Sequence, residues 1–263
     1  MIDLHAHILY GLDDGPDTQE QTMAMLRIAV EEGIHTMVVT PHFIHGANAY
    51  DAHQYHVRLA EIQEQILTEA LPITLLPGNE MMMDEWTLKN YQSQSARTLA
   101  DSRYALVEFP LVEIPHYAEN IIDGLLEEGL IPLIAHPERY PEVQEDPGLM
   151  ERFIHRGCLM QVNSGSITGI YGKKPAHTAK TLIQHHMVHV VASDCHTPGR
   201  RSPRLKEARN LVHSWMGTEV ATQLFEANPA AILNNQSVDI FEPLDIKRPH
   251  GVLHKMKGWF ARR

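Results

Sequence analysis

The chain has no apolar run approaching the roughly 18–20 residues that a membrane-crossing helix needs. It also lacks a basic and then apolar leader, since Asp3 already stands among the first residues, and no secretory signal is expected. Cysteine is scarce. Cys158 and Cys195 alone cannot form a disulfide framework and fit a reducing cytoplasm. Excess positive charge is missing as well: a formal net charge of −11 argues against a general nucleic-acid binder. The cations Lys247, Arg248, Lys255, Lys257, Arg262 and Arg263 gather at the C-terminus without an acid, so the remainder is more acidic still. No low-complexity linker divides the chain. The simplest organisation is one domain over residues 1–240 and a basic tail over 241–263.

Histidine is abundant, with 18 copies, and each needs a positional argument. The most informative are in the opening pentad Asp3-Leu4-His5-Ala6-His7, where apolar residues alternate with polar ones at the period of a strand. His5 and His7 therefore leave one face of one strand, within reach of a single metal ion.

The 263 residues, 43% of them hydrophobic, suffice for one large α/β domain. Strands are expected near residues 2–7, 36–42, 73–80, 104–109, 131–136, 159–163 and 189–194. Helices are expected near 18–32, 51–70, 117–128, 148–155, 176–186 and 203–215, with shorter ones to about residue 233. Asp17 is the expected N-cap of the first helix, with Glu20 at capping-box spacing and Gly33 as its C-cap. Near-continuous apolar strands such as Met37-Val38-Val39 imply a parallel sheet covered by helices. Such units can close into a barrel with its chemistry at the strand C-termini, or form a doubly wound open sheet.

Strand ends supply the next test. All but the sixth expected strand finish on a histidine or an acid: His5 and His7, His42, Glu80, Glu108, His136, then Asp194 and His196. Asp13 and Asp14 follow the first strand. Parallel strands would aim these groups into one bowl. Nitrogen and oxygen ligands without thiolate suit manganese, iron or zinc. The set exceeds the needs of one ion, so two or three divalent cations are expected. Three such ions over Asp14, Glu80, Glu108 and Asp194 would leave the bowl net positive and attractive to phosphate.

Asp3-Leu4-His5-Ala6-His7, Pro41-His42, Glu80, Glu108, Ala135-His136-Pro137-Glu138-Arg139-Tyr140 and Ala192-Ser193-Asp194-Cys195-His196 resemble the PHP (polymerase-and-histidinol-phosphatase) superfamily. Asp13-Asp14-Gly15-Pro16, residues 99–109 and Gln161-Val162-Asn163-Ser164 resemble, more narrowly, the manganese-dependent protein-tyrosine phosphatases of bacterial capsule and exopolysaccharide systems, the CpsB/YwqE type. The resemblance spans roughly residues 1–235. It implies a distorted seven-stranded (β/α) barrel of PHP type with a trinuclear metal site at the strand C-termini. His5, His7, Glu80 and Asp194 would hold one ion, Glu80, Glu108 and His136 a second, and Asp14, His42 and His196 a third. Arg139 matches an arginine that binds substrate phosphate, and Arg200 is favoured over Arg201 as a second. The implied reaction is attack of a metal-bridging hydroxide on phosphotyrosine, with the ions and arginines neutralising the equatorial oxygens. Tyrosinate, with a pKa of about 10, leaves without strong acid assistance. The implied partner is a tyrosine-phosphorylated, membrane-associated capsule-type kinase, which places the enzyme in the cytoplasm.

Other readings compete. A small-molecule phosphoesterase such as a histidinol-phosphate phosphatase would use the same bowl, and a catalytically dead module would keep the fold for binding alone. Cys195 through Arg201 matches the C-x5-R loop of cysteine phosphatases. Pro198 lacks an N–H where the phosphate cradle wants one, and Asp194 opposes a thiolate. His45, His53 and His56 could line the mouth, whereas His185, His186 and His189 suit capping or solvated roles. Met81, Met82 and Met83 are expected to pack near the rim, and Asp3 to orient a ligand histidine. Val252, Leu253, Met256, Trp259 and Phe260 could form one face of a basic helix making weak contact with a membrane surface.

Overall fold

The computed structural model describes residues 1–47, 52–238 and 241–246. The chain runs through β1 (Ile2–Ala6), α1 (Gln19–Glu31), β2 (Thr36–Val39), β3 (His42–Phe43), α2 (Ala52–Thr68), β4 (Thr74–Pro77), β5 (Glu80–Met82), α3 (Thr87–Gln92) and β6 (Tyr104–Glu108). It continues through α4 (Ala118–Glu127), β7 (Ile131–Ala135), α5 (Pro141–Glu145), α6 (Glu151–Ile154), β8 (Leu159–Asn163), α7 (Ser164–Ile167), α8 (Lys173–Gln184), β9 (Val190–Ala192), α9 (Lys206–Thr222) and α10 (Asn228–Leu233).

All strand pairs among these elements are parallel, and they form two sheets of order β1-β2-β4 and β3-β5-β6-β7-β8-β9. The α/β class with parallel strands is as expected, but the closed seven-stranded barrel is not formed. The expected strands 36–42 and 73–80 each break in two. Pro41 has no N–H to give a ladder. Gly78 lies so close to its neighbour that a Cβ there would stand 2.7 Å from Val38 Cγ1. Tyr55 Oη reaches into this second break from α2, donating to Gly78 O at 3.2 Å and accepting from Gly78 N at 3.0 Å. The halves re-pair after the break, with His42 opposite Glu80 in the β3–β5 register. At the far edge a single parallel bridge joins Ala6 to Cys195, with Asp194 N donating to His5 O and His7 N to Cys195 O, each at 2.9 Å.

Local signals explain the helix ends. The N-cap of α1 is Thr18 rather than Asp17: the Thr18 side chain accepts from Gln21 N, while Gln21 Oε1 accepts from Asp17 N. The box spacing is thus shifted one residue from the expected one, and its return bond is taken from Asp17 N rather than from the cap's own N–H. Gly33 closes the helix at a φ of +80°, with Gly33 N donating to Val30 O and Ile34 N to Ala29 O. The helix expected at 203–215 extends to Thr222 through an interruption at Gly217.

Alternation sorts the core. On β6, Tyr104 and Leu106 join a small apolar cluster with Leu133, Ala135 and Leu159, whereas Ala105 and Val107 pack into the large cluster under the helices. Glu108 and the β8 pair Gln161 and Asn163 have the same parity as the small cluster. Apolar side chains therefore floor the site, and the polar groups continue the same strand faces toward the C-terminal ends. Residues 241–246 are not a free tail: Leu244 N donates to His185 O at 2.9 Å and Ile246 packs on the core. The proposed membrane-facing helix, in residues 247–263, lies outside the described residues.

Candidate metal centre

The break after Val39 and the break before Glu80 decide how the site is assembled. His42 and Glu80 are the first residues of β3 and β5, not the last of longer strands, yet they reach the groups at the ends of β1, β6 and β7. His136 and Asp194 follow β7 and β9 in the left-handed region, with φ of 37° and 51°. Non-glycine residues are held there at a cost of order 1–3 kcal/mol, and such positions concentrate at functional sites. That turn of the chain swings each side chain back over the strand ends.

Glu80 is the hub. Its Oε2 lies 3.1 Å from both His5 Nε2 and His7 Nε2 and 3.0 Å from His42 Nδ1, and its Oε1 lies 3.0 Å from His136 Nε2. Glu108 adds Oε1 at 3.1 Å from His42 Nδ1 and Oε2 at 3.6 Å from His136 Nε2. Asp194 Oδ1 stands 3.6 Å from the Nε2 atoms of His5 and His7. On the outer side, Asp14 Oδ1 lies 3.2 Å from His196 Nε2 and 3.5 Å from His42 Nε2. Three overlapping groups could each hold an ion: His5, His7 and Glu80; His42, Glu80 and Glu108; and His7, Asp14, His42 and His196. All of the side chains expected in the bowl are brought together. The grouping differs from the expected one: His42 serves two groups through its two ring nitrogens, His7 joins the outer one, and Asp194 and His136 stand beside these three groups rather than within them.

The donor set fits divalent cations. Glu80 Oε2, Glu108 Oε1, His42 Nδ1 and His196 Nε2 are buried and make no hydrogen bond, although several of them approach to about 3 Å. Close acceptor atoms without hydrogen-bond alignment are what a shared cation would satisfy. His5 and His7 carry the same message. Each Nδ1 faces an acceptor, Gln161 Oε1 at 2.8 Å and Asp13 Oδ2 at 2.6 Å, so in the neutral rings the two Nε2 lone pairs confront each other across 3.1 Å. Ionisation answers the same crowding. Burial pulls His42 down, but Glu80 and Glu108 outweigh it and hold the ring up at about 12. Burial likewise opposes Asp13 at His7, which ends at about 9. Burial raises Glu80, yet His5 and His42 together hold it well below the usual carboxylate range.

Two guanidiniums flank the cluster, and one differs from expectation. Arg139 Nη1 donates to Asp194 Oδ2 at 3.1 Å and lies over the Tyr171 ring at 5.2 Å. Arg201 Nη2 donates to Asp194 Oδ1 at 3.0 Å, with Nη1 4.0 Å from Asp14 Oδ2. Arg200 instead turns outward, donating to Ile170 O from an exposed position. The turn at 197–201, where His196 N and Thr197 N both donate to Arg201 O, sends the adjacent side chains opposite ways.

Cys195 is wholly buried in the large core, and burial together with Asp3 pushes its thiol well above the ordinary range. A buried thiol held in its neutral form is a poor nucleophile. Among the described residues Asp3 makes no hydrogen bond to a histidine ring. Its Oδ1 accepts from Ser193 N and His5 N, and the orienting carboxylate is Asp13 on His7. His45 stacks on Trp86 at 4.7 Å, His56 meets Arg97, His185 Nδ1 lies 2.8 Å from Thr181 O, and His189 accepts from Met160 N. Met81 and Met83 are buried packing residues. The sequence reading left Asp13, Gln161, Asn163 and Tyr171 without a role. Paired polar residues in an otherwise apolar strand at 159–163 were the available signal.

Against known proteins, the family profile for capsular polysaccharide synthesis, CpsB/CapC, matches residues 1–234. Tyrosine-protein phosphatase YwqE of Bacillus subtilis is 34% identical over 99% of this chain and 100% of its own length. Tyrosine-protein phosphatase CpsB of Streptococcus pneumoniae is 29% identical over 90% of this chain and all of its own. A solved structure from a pair described as YwqE and CpsB, "unique metal-dependent tyrosine phosphatases", superposes with a TM-score of 0.89 at 33% identity, covering 94% of this chain and 100% of that one. With profile, full-length relatives and backbone in agreement, the chain belongs to the CpsB/CapC family of capsular polysaccharide synthesis.

Proposed function

We propose that this chain is a metal-dependent protein-tyrosine phosphatase that dephosphorylates a capsule- or exopolysaccharide-type tyrosine kinase in the cytoplasm. The observation that carries the reading is the Glu80-centred cluster of imidazoles and carboxylates lying beneath Arg139 and Arg201. His5, His7, Glu80 and Asp194 would hold one ion, Glu80, Glu108 and His136 a second, and Asp14, His42 and His196 a third, with manganese favoured and iron or zinc compatible with the donors. When bound, the ions supply Lewis acidity and a nucleophile derived from water at neutral pH.

The chain's own groups do the rest. Arg139 through Nη1 and Arg201 through Nη2 donate to Asp194, which holds the planar guanidiniums at the cluster and leaves further N–H groups for phosphate oxygens. Those charges stabilise the equatorial oxygens as the ester bond breaks. Tyr171 under Arg139 limits the swing of that guanidinium. The catalytic unit is the domain over residues 1–240, with 241–263 as its basic tail, of which 241–246 contact the domain through Leu244 and Ile246. None of the described helices is long and apolar enough to cross a membrane; the membrane contact in this reading is made through the kinase or the tail.

The test is metal analysis combined with turnover of a phosphotyrosyl peptide, a phosphoseryl peptide and histidinol phosphate. Metal-dependent preference for the phosphotyrosyl peptide is expected. Histidinol phosphate turned over far ahead of the peptides would overturn the assignment.

A further inference from the structure

Behind the metal-facing side chains lies a second row of polar groups. Gln161 and Asn163 stand at i and i+2 on β8, leave the same face of the strand, and are fully buried. Buried carboxamides are costly unless bonded, and these two are bonded in series. Asn163 Nδ2 donates to Asp194 Oδ2 at 2.6 Å, Gln161 Nε2 donates to Asn163 Oδ1 at 2.8 Å, and Gln161 Oε1 lies 2.8 Å from His5 Nδ1.

The chain can run in one direction only. Asp194 sits between two guanidiniums, with Arg139 donating to its Oδ2 at 3.1 Å and Arg201 to its Oδ1 at 3.0 Å. Both oxygens of this carboxyl therefore face donors and serve as acceptors. Asn163 must therefore turn its NH2 to Asp194 and its carbonyl to Gln161. Gln161 must in turn offer its NH2 to Asn163 and its carbonyl to His5. In its neutral form the His5 ring is then left with its proton on Nδ1 and its Nε2 lone pair on the side of Glu80 Oε2 and His7 Nε2, each 3.1 Å away.

We propose that Gln161 and Asn163 are positioning residues forming a one-way hydrogen-bond relay through which Asp194 fixes the tautomer of His5. The consequence for metal binding rests on the metal-site reading above. The relay couples two prospective ligands of one ion, on β1 and after β9, without burying a further charge. At His7 the same task falls to a carboxylate in direct contact, Asp13 at 2.6 Å. The β8 end of the relay is anchored by Glu138, whose Oε1 accepts from Asn163 N at 3.0 Å and from Ser166 Oγ at 2.6 Å.

The relay makes a claim about an atom that Asn163 does not touch. In the metal-free wild type, at a pH alkaline enough for a neutral ring, long-range 15N NMR should show His5 protonated at Nδ1 and bare at Nε2. Asn163→Leu frees Gln161 to invert, so His5 should become a mixture of tautomers. In titration calorimetry with Zn2+, Asn163→Leu and Gln161→Met should each bind about 10- to 100-fold more weakly than wild type. Gln161→Glu keeps an acceptor on His5 and should restore the tautomer while leaving Zn2+ binding weakened, since the arm to Asp194 stays broken. A wild-type ring protonated at Nε2 would overturn the proposal without any variant. So would a folded Asn163→Leu protein with unchanged tautomer and unchanged Zn2+ affinity. Failure of the wild type to bind Zn2+ or Mn2+ at all would sink the metal-site reading instead, and the NMR result would still decide the relay.

Discussion

His5 and His7 leave β1 with their Nε2 atoms 3.1 Å apart, and the carboxylate Oε2 of Glu80 closes the triangle at 3.1 Å from each. Because Glu80 also reaches His42 and His136, its removal should empty more than one ion position. Glu80→Gln should lower bound metal by more than one equivalent per chain, by elemental analysis. Turnover should fall by at least about 100-fold, the upper end of what loss of an outer partner of a ligand costs. Full metal content in that variant would remove Glu80 from the centre.

Arg201 and Arg200 are adjacent and face opposite ways, which separates their roles. Arg201→Met should lower kcat by about 100-fold or more on an aryl phosphate, as expected for losing an oxyanion-stabilising donor. Arg200→Met should stay within about threefold. The reverse order would restore the assignment that the Gly199-Arg200-Arg201 sequence suggested.

That pair also marks where sequence reading stops. The prospective ligands were legible because each type recurs at a strand end, and parallel strands convert that recurrence into one bowl. The α/β class followed from apolar strands alternating with helices. Three things were not legible. The break at Gly78 is filled by Tyr55 entering from a helix, a contact without a periodic signature. The direction of Arg201 depends on two backbone bonds to its own carbonyl. The roles of Gln161 and Asn163 appear only when β8 lies beside β9, because their partners His5 and Asp194 are remote in sequence.

Protons and metal ions should compete at His7. Burial lowers its affinity for a proton, Asp13 raises it, and the folded value is about 9 against an ordinary 6.5. A raised folded value contributes stability that is complete below the unfolded value and is lost as pH rises through the folded one. Metal-free protein should therefore melt at a lower temperature at pH 9.5 than at pH 6.5, measured with chelator present. Metal-loaded protein should lose less over that window, and metal uptake at neutral pH should release protons in calorimetry across buffers of different ionisation enthalpy. A metal-free melting temperature that rises over the same window would contradict this.

Cys195→Ser offers a direct choice between mechanisms. The thiol is buried and packed, so the variant should lose stability on the order of 1 kcal/mol. Metal-saturated kcat should remain within about threefold of wild type. Abolished turnover with metal still bound would transfer the chemistry to the thiol.

Tyr140 shows how the scaffold holds two prospective ligands in place. Its hydroxyl is buried, donates to Ala135 O at 2.8 Å and accepts from Phe109 N at 3.0 Å. Ala135 and Phe109 are the neighbours of His136 and Glu108, so one hydroxyl ties together the ends of β7 and β6 where those side chains emerge. Tyr140→Phe keeps the ring and its packing against Phe109 at 5.4 Å, but orphans a buried N–H and a buried carbonyl. The expected loss of stability is about 1–3 kcal/mol in urea unfolding of the metal-free protein. Separation of His136 from Glu108 should also weaken metal binding, whereas Tyr104→Phe, whose hydroxyl bonds Gln236 O away from the centre, should cost stability alone. Equal metal affinity in the two variants would show that the tie across β6 and β7 does not reach the site.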